Sequence, residues 1–270
     1  EFDSPRDSSY EYFDVAIEDS SGNVLSQIET GSDKTFSAAV ASAGTYYVRV
    51  DRGDYYDSNP FGITISTSAG AGSNELEPND AKGEATVLTL GSKYNGQLTT
   101  SSDKDYYSIQ VNGSKVIKVQ LDSPSNSNLN YFDLSIEDAA GNKIAAIETG
   151  KDSTLSASVS GGNYYIVLQK GDYFESNNYG ITVTTETGAE NNELEPNNAT
   201  SNATPIETDK SFSGQLLNNQ DIDYFSLNIT QSGTITVNFD LPTNSSYNDY
   251  FEFGITNSLN EVLSSESSGK

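Results

Sequence analysis

A chain of 270 residues with 39 acidic and 14 basic side chains, a net charge of −25 and no Cys, His, Met or Trp holds no Ser-His-Asp triad, thiol nucleophile, disulfide or zinc site of the usual kind. Its acidity repels nucleic acid and anionic lipid and attracts divalent cations, and no apolar run approaches the roughly 20 residues that span a bilayer. Hydrophobic residues make up only 34%, yet 17 Tyr and 11 Phe are spread along the chain, which favours ordered β domains with thin cores over a disordered acidic tail. With 39 acidic residues, chance carboxylate pairs are unavoidable, so a glycosidase-like pair carries no information. No nucleophile, base and orienter can be assembled, and the chain is expected not to be an enzyme.

Residues 1–70 read as the back part of a repeating unit. Residues 8–25 (SSYEYFDVAIEDSSGNVL) return 119 residues on, at 127–144 (SNLNYFDLSIEDAAGNKI), each an alternating strand, a turn at Ser-Gly-Asn or Ala-Gly-Asn, and a second strand. IETG at 28–31 recurs at 147–150, and residues 44–67 recur at 162–185 with an offset of 118, one residue being lost in an expected loop near Ala43 and Gly161. Residues 68–73 (SAGAGS) have the small, flexible composition of a linker.

Residues 74–80 then read NELEPND, and 118 residues later 192–198 read NELEPNN. A period of that length is a whole domain, beyond the roughly 20–50 residues of a solenoid unit. The unit at 74–187 is complete. Strands are expected at 85–90, 93–99, 105–111, 115–121, 131–138, 143–148, 154–160, 163–169 and 179–185, with a hairpin signal at Asn112-Gly113-Ser114 and no amphipathic helix. Many short strands with frequent turns mean a sandwich or barrel. Residues 185–192 form the next linker, and 192–270 begin the unit again, as far as the equivalent of Lys151. The expectation is an all-β chain of tandem repeats of about 118 residues, with partial repeats at 1–70 and 192–270. Having neither initiator Met nor signal peptide, it is expected to be a mature chain or a fragment of a longer array. Head-to-tail association into a filament is the alternative, because partial sandwiches leave apolar surface and open edges.

The repeated opening segment suits a cation. In an extended chain Glu75 and Glu77 point the same way, Pro78 has no N–H and ends any ladder, and Asn79 and Asp80 suit a turn that brings oxygens back toward the glutamates. Some residues later, in SSDKDYYSI, Asp103 and Asp105 again share a face. The next unit repeats the set as Glu193, Glu195, Asn197 and Asn198, with Asp221 and Asp223 in NNQDIDYFSL, and the spacing from Glu75 to Asp103 equals that from Glu193 to Asp221, 28 residues. Oxygen donors without nitrogen or sulfur match a hard cation, and Ca2+ accepts about 6–8 oxygens in flexible geometry. The competing reading is a solvated acidic linker followed by an ordinary turn; recurrence of both clusters at one separation favours calcium.

NELEPND followed by YNGQL, SSDKDYYSI, YFDLSIEDAAGN and GNYYIVL resembles the bacterial pre-peptidase C-terminal domain family, which includes the collagen-binding domains of clostridial collagenases. The resemblance covers the second unit fully and the others as far as they extend. It implies a jelly-roll-like β-sandwich, secreted, appended to proteases or strung along surface proteins, with calcium between the opening segment and the Asp-containing loop. On this sequence it assigns side chains of Glu75, Glu77, Asn79, Asp80 and Asp105, leaves Ser102 and Asp103 competing for one further place, and admits the backbone carbonyl of Gln97. Asn198 stands where Asp80 stood, so the third unit is expected to bind more weakly.

Tyr46, Tyr47, Tyr55 and Tyr56 recur as Tyr164, Tyr165, Tyr173 and Phe174. One of each adjacent strand pair is expected in the core, and Tyr173 and Phe174 to be exposed; packing is the favoured role and an aromatic binding face the alternative. The Asn-x-Ser/Thr sites at Asn112, Asn198, Asn202, Asn228 and Asn244 are expected by chance in so Asn-, Ser- and Thr-rich a chain. The functional expectation is an extracellular or cell-surface, calcium-stiffened structural or adhesive extension of a bacterial surface or fibre-forming protein. The alternative is a protein- or polysaccharide-binding accessory module of a secreted hydrolase. Calcium, neighbouring copies of the chain and an extracellular protein or polysaccharide are the partners considered; nucleic acid and membrane insertion are not expected.

Overall fold

The computed structural model describes residues 1–69, 72–187, 191–217, 220–241 and 250–268. Parts of both expected linkers, residues 70–71 and 188–190, and the Asn244 site lie outside these. By its contacts the chain forms two compact units, Glu1–Leu227 and Asn228–Lys270.

The chain is all-β, and its most complete part is a sandwich. One sheet has five strands in the order Lys143–Gly150, Ser127–Glu137, Gly162–Lys170, Lys104–Val111 and Thr86–Val87; the other has four, in the order Ser153–Val159, Lys115–Asp122, Tyr179–Glu186 and Lys93–Gly96. Pairing is antiparallel except where Thr86–Val87 runs parallel to Lys104–Val111. Period-two alternation drives this arrangement: along Lys104–Val111, Asp105, Tyr107, Ile109 and Val111 turn inward while Lys104 and Gln110 face solvent. The inward faces of both sheets share one core, with Ile117, Val119 and Ile181 from the four-stranded sheet against Phe132, Leu134 and Ile166 from the five-stranded one. Burying each such side chain contributes about 1.5–3 kcal/mol.

The expected strands at 85–90 and 93–99 are shorter in the structure, Thr86–Val87 and Lys93–Gly96. The second stops because the Gln97 N–H, instead of joining a ladder, donates to the Glu75 carboxylate at 2.6 Å.

One hairpin is built three times in the same register. Phe13 pairs with Thr30, Phe132 with Thr149 and Phe251 with Ser268, and each hairpin has a register shift at its turn end. Each turn is closed by a short polar side chain that accepts backbone N–H groups, Asp19 from Ser21 and Asn23, Asp138 from Asn142, and Asn257 from Leu259 and Glu261. In the first region, the strands Val24–Gly31, Ser8–Glu18 and Tyr47–Arg52 form a three-stranded sheet over Phe2, Phe13 and Val15. In the Asn228–Lys270 unit, the hairpin of Phe251–Thr256 and Val262–Ser268 packs against Phe239, whose ring lies 4.9 Å from that of Phe253. No helix among the described residues is long and apolar enough to cross a membrane.

Candidate metal centre

The NELEPND segment lies between two strands. On one side Asn74 bridges Asn95, and the Glu75 N–H donates to the Asn95 carbonyl at 2.9 Å, within the same repeat. On the other, Leu76–Glu77 pairs in parallel with Ala39–Val40 of the preceding region. This holds the backbone extended through Glu77, so Glu75 and Glu77 send their carboxylates to the same side, where Asp105 enters from Lys104–Val111. Each of these three offers an oxygen within 4.8 Å of the others, and all three are buried. The Glu77-Pro78 peptide bond is cis, as is Glu195-Pro196. The chain then turns, and Asn79 donates from its backbone N–H to Glu77 (3.1 Å) and from its side-chain amide to Glu75 (3.4 Å).

Two buried tyrosines wall the cluster. The Tyr107 hydroxyl donates to Glu75 at 2.6 Å and lies 2.6 Å from the Tyr179 hydroxyl, which in turn donates to Asp105. A Cβ on Gly96 would run into both hydroxyls, so the glycine of YNGQL is required by space. Three polar atoms remain buried without a partner: Glu77 Oε1, Asn79 Oδ1 and Asp105 Oδ1.

The second set repeats the plan less completely. Glu193, Glu195 and Asp223 each offer an oxygen within 4.8 Å of the others, but Asp223 is only partly buried. The Gln215 N–H donates to Glu193 at 2.6 Å, and the Asn197 N–H donates to Glu195 at 3.0 Å. Phe225 stands where Tyr107 stood, so that hydroxyl is missing. Glu193 Oε2, Asp223 Oδ1 and both side-chain polar atoms of Asn197 have no partner.

The remaining expected ligands lie around these triads. Asp103 is buried, but its Oδ2 accepts from the Thr99 N–H and hydroxyl (2.6 and 2.8 Å), and it is not among the three converging oxygens. Asp221 is placed likewise, accepting from the Leu217 N–H at 2.6 Å. Asp80 is exposed and accepts from the Lys104 N–H at 3.3 Å. Asn198 is exposed and, with its amide nitrogen turned inward, donates to Asp221 at 2.9 Å. Ser102 is exposed with its hydroxyl against Thr100.

Among the described residues no ion pair includes a member of either cluster. Burial therefore acts on these carboxyls without a basic partner. Desolvation pushes Glu75 up to about 7 against hydrogen bonds from Tyr107 and Gln97, and pushes Glu77, with repulsion from Glu75 and Asp103, up to about 9. Asp105 is raised by burial and then by Glu75 and Asp103. Burial, followed by Asp223, takes Glu193 to about 8, and burial takes Glu195 to about 7. Unit charges within 4.8 Å of one another repel by about 3 kcal/mol or more at an effective dielectric of about 20, so the cluster is neutralised either by protons or by a cation. The donor set fits one. All the converging atoms are carboxylate oxygens, the donor type that a hard cation such as Ca2+ takes.

No family model matches the chain, and no curated protein matches it. Among solved structures, the chain is similar to the pre-peptidase C-terminal domain of collagenase from Bacillus anthracis, at 19% identity and a TM-score of 0.33 over 37% of this chain and 95% of that one.

Tyr107, Tyr179 and Gly96 were not singled out from the sequence. The signal for the first was DYYSI against DYFSL, a difference between otherwise parallel copies. Tyr179 lies 104 residues from the Glu75 it touches, and nothing local marks it. Of the paired tyrosines, Tyr164 is buried while Tyr165 lies under Lys82, whose Nζ is 5.0 Å from the ring centroid. Tyr173 and Phe174 are exposed, as are Tyr47, Tyr55 and Tyr56.

Proposed function

We propose that this chain is a non-catalytic, calcium-binding run of β-sandwich repeats of the pre-peptidase C-terminal kind, serving outside a bacterial cell as a structural or adhesive extension of a surface or fibre-forming protein. The observation that carries the reading is the trio of unpartnered buried oxygens on Glu77, Asn79 and Asp105, in a cluster with no basic partner. Glu75, Glu77, Asn79 and Asp105 would hold the ion in the first site, with Asp80 and Asp103 beside them; Glu193, Glu195, Asn197 and Asp223 would hold it in the second, with Asn198 and Asp221 beside them. A bound Ca2+ supplies the positive charge that these carboxylates otherwise lack. An extracellular setting suits this reading, since calcium sites of extracellular modules, with affinities of about 10⁻⁴–10⁻³ M, fill where calcium is plentiful. Thermal unfolding of the chain with calcium and with excess chelator tests the reading: calcium raises the melting temperature, and identical curves overturn it.

A second reading, a substrate-binding accessory module, draws on the exposed aromatics. Tyr10 and Tyr55 stand 5.0 Å apart edge to face, Arg6 lies over Tyr12, and the Tyr12–Tyr55 pair at 5.7 Å recurs as Tyr131–Tyr173 at 6.1 Å, while Leu129 stands where Tyr10 stood. Co-sedimentation with insoluble polysaccharide or fibrous protein, lost on replacing Tyr55 and Tyr173 by Ala, would favour it over the structural reading.

A further inference from the structure

The acidic segment has two sets of attachments. Its side chains and the backbone at Asn74 and Glu75 join its own repeat, and the backbone at Leu76–Glu77 joins the one before. Leu76–Glu77 pairs with Ala39–Val40 of the preceding region in a two-stranded sheet, and Glu195 repeats this by bridging Val159 and donating its N–H to the Ser158 carbonyl at 3.0 Å. Ser153–Val159 is an outer strand of its sheet, so the bridge covers an edge otherwise open there. The same Glu77 and Glu195 whose backbone makes the junction contribute an oxygen to the cluster.

We propose that each acidic clamp fastens neighbouring repeats, so that cation occupancy and strand addition onto the preceding repeat form one coupled equilibrium; this rests on the calcium reading above. The extended backbone that lets Val40 pair with Glu77 is the backbone that aims Glu75 and Glu77 at one point. Three like charges at that point push the segment away from this conformation, and a cation among them holds it there. By linkage, docking of the preceding repeat strengthens cation binding by the factor that the cation strengthens docking.

The two junctions are built to different strengths. At the first, the buried Gln97 amide spans the boundary, accepting from the Ser26 hydroxyl at 2.8 Å and donating to the Gln27 carbonyl at 2.6 Å, and the Gln27 amide donates to the Thr99 carbonyl. At the second, Ala145 and Ala146 stand in the places of Ser26 and Gln27, Gln215 is exposed, and a cleft lined by Asp133, Lys143, Ala146, Ile147, Glu148 and Leu217 occupies the corresponding position. Among the described residues the second junction thus has no counterpart of this lock, so on this proposal it leans more on strand and cation than the first, which keeps a hydrogen-bonded lock without calcium.

Amide hydrogen exchange on the full chain, with calcium and with chelator, tests this, calorimetry on the same samples recording calcium binding. Calcium is expected to slow exchange around residues 158–159 and 195 by about tenfold or more, and around 39–40 and 76–77 by less. Ser26→Ala with Gln27→Ala should make the first junction as calcium-dependent as the second, and Ala146→Gln should lessen the dependence of the second. Calcium binding without any change in exchange at 158–159 and 195 overturns the fastener and leaves the calcium reading intact. Absence of calcium binding overturns both.

Discussion

The two carboxylate clusters share a backbone plan and differ in their walls. Around Glu75, Glu77 and Asp105 the site is buried, and two tyrosine hydroxyls occupy carboxylate oxygens; around Glu193, Glu195 and Asp223 one carboxylate is partly buried and Phe225 supplies no hydroxyl. The comparison teaches that a near-identical acidic motif does not fix the surroundings of its carboxylates. The residues behind the carboxylates set how deeply they are buried and which hydrogen bonds they already hold.

The largest break in that comparison comes from the glycines. Gly96→Ala drives a methyl group into two buried hydroxyls and is expected to cost about 3 kcal/mol or more, whereas Gly214→Ala meets chiefly the end of the Glu193 side chain and should cost about 1–2 kcal/mol. Urea unfolding of the two variants measures both, and equal losses would mean that the walls are equivalent.

The next effect is one of pH. The buried carboxyls titrate higher in the folded chain, Glu77 at about 9 and Glu193 at about 8, than their ordinary 4.5. The folded state thus holds more protons than the unfolded one between these values. Without calcium, stability is greatest below about pH 4.5 as far as these groups decide it, and falls as pH rises through about 7 to 9. Melting temperatures in chelator should fall across that window, and added calcium should restore most at its upper end. A flat profile in chelator contradicts the burial argument.

Smaller changes sharpen the difference between sites. Tyr107→Phe removes the hydroxyl that the second site already lacks; losing this charge-assisted hydrogen bond is worth about 1.5–3 kcal/mol and should lower stability while moving the first site's calcium affinity. Asn198→Asp restores the charge present at Asp80, and the second site's affinity should rise about three- to tenfold in a calcium titration. No rise would show that the exposed position does not act on the ion.

Much of this was legible in the sequence. The alternation around Phe13 and Phe132 announced two of the hairpins, and the two NELEPN segments announced the clusters, because strand period and motif spacing are local properties. The roles of Asp103 and Asp221 were less legible: sharing a face with Asp105 and Asp223 does not reveal that the Thr99 and Leu217 N–H groups claim them first. Tyr179 and the Gln97 lock were hidden because each meets its partner across 70 or more residues, in contacts that only the packed sheets create.

Calcium titration of the full chain by calorimetry, beside Asp105→Asn and Asp223→Asn variants, tests the central claim most directly. The account predicts a tighter and a weaker site, the tighter abolished by Asp105→Asn and the weaker by Asp223→Asn. Absence of binding at millimolar calcium, or binding untouched by either substitution, would contradict it.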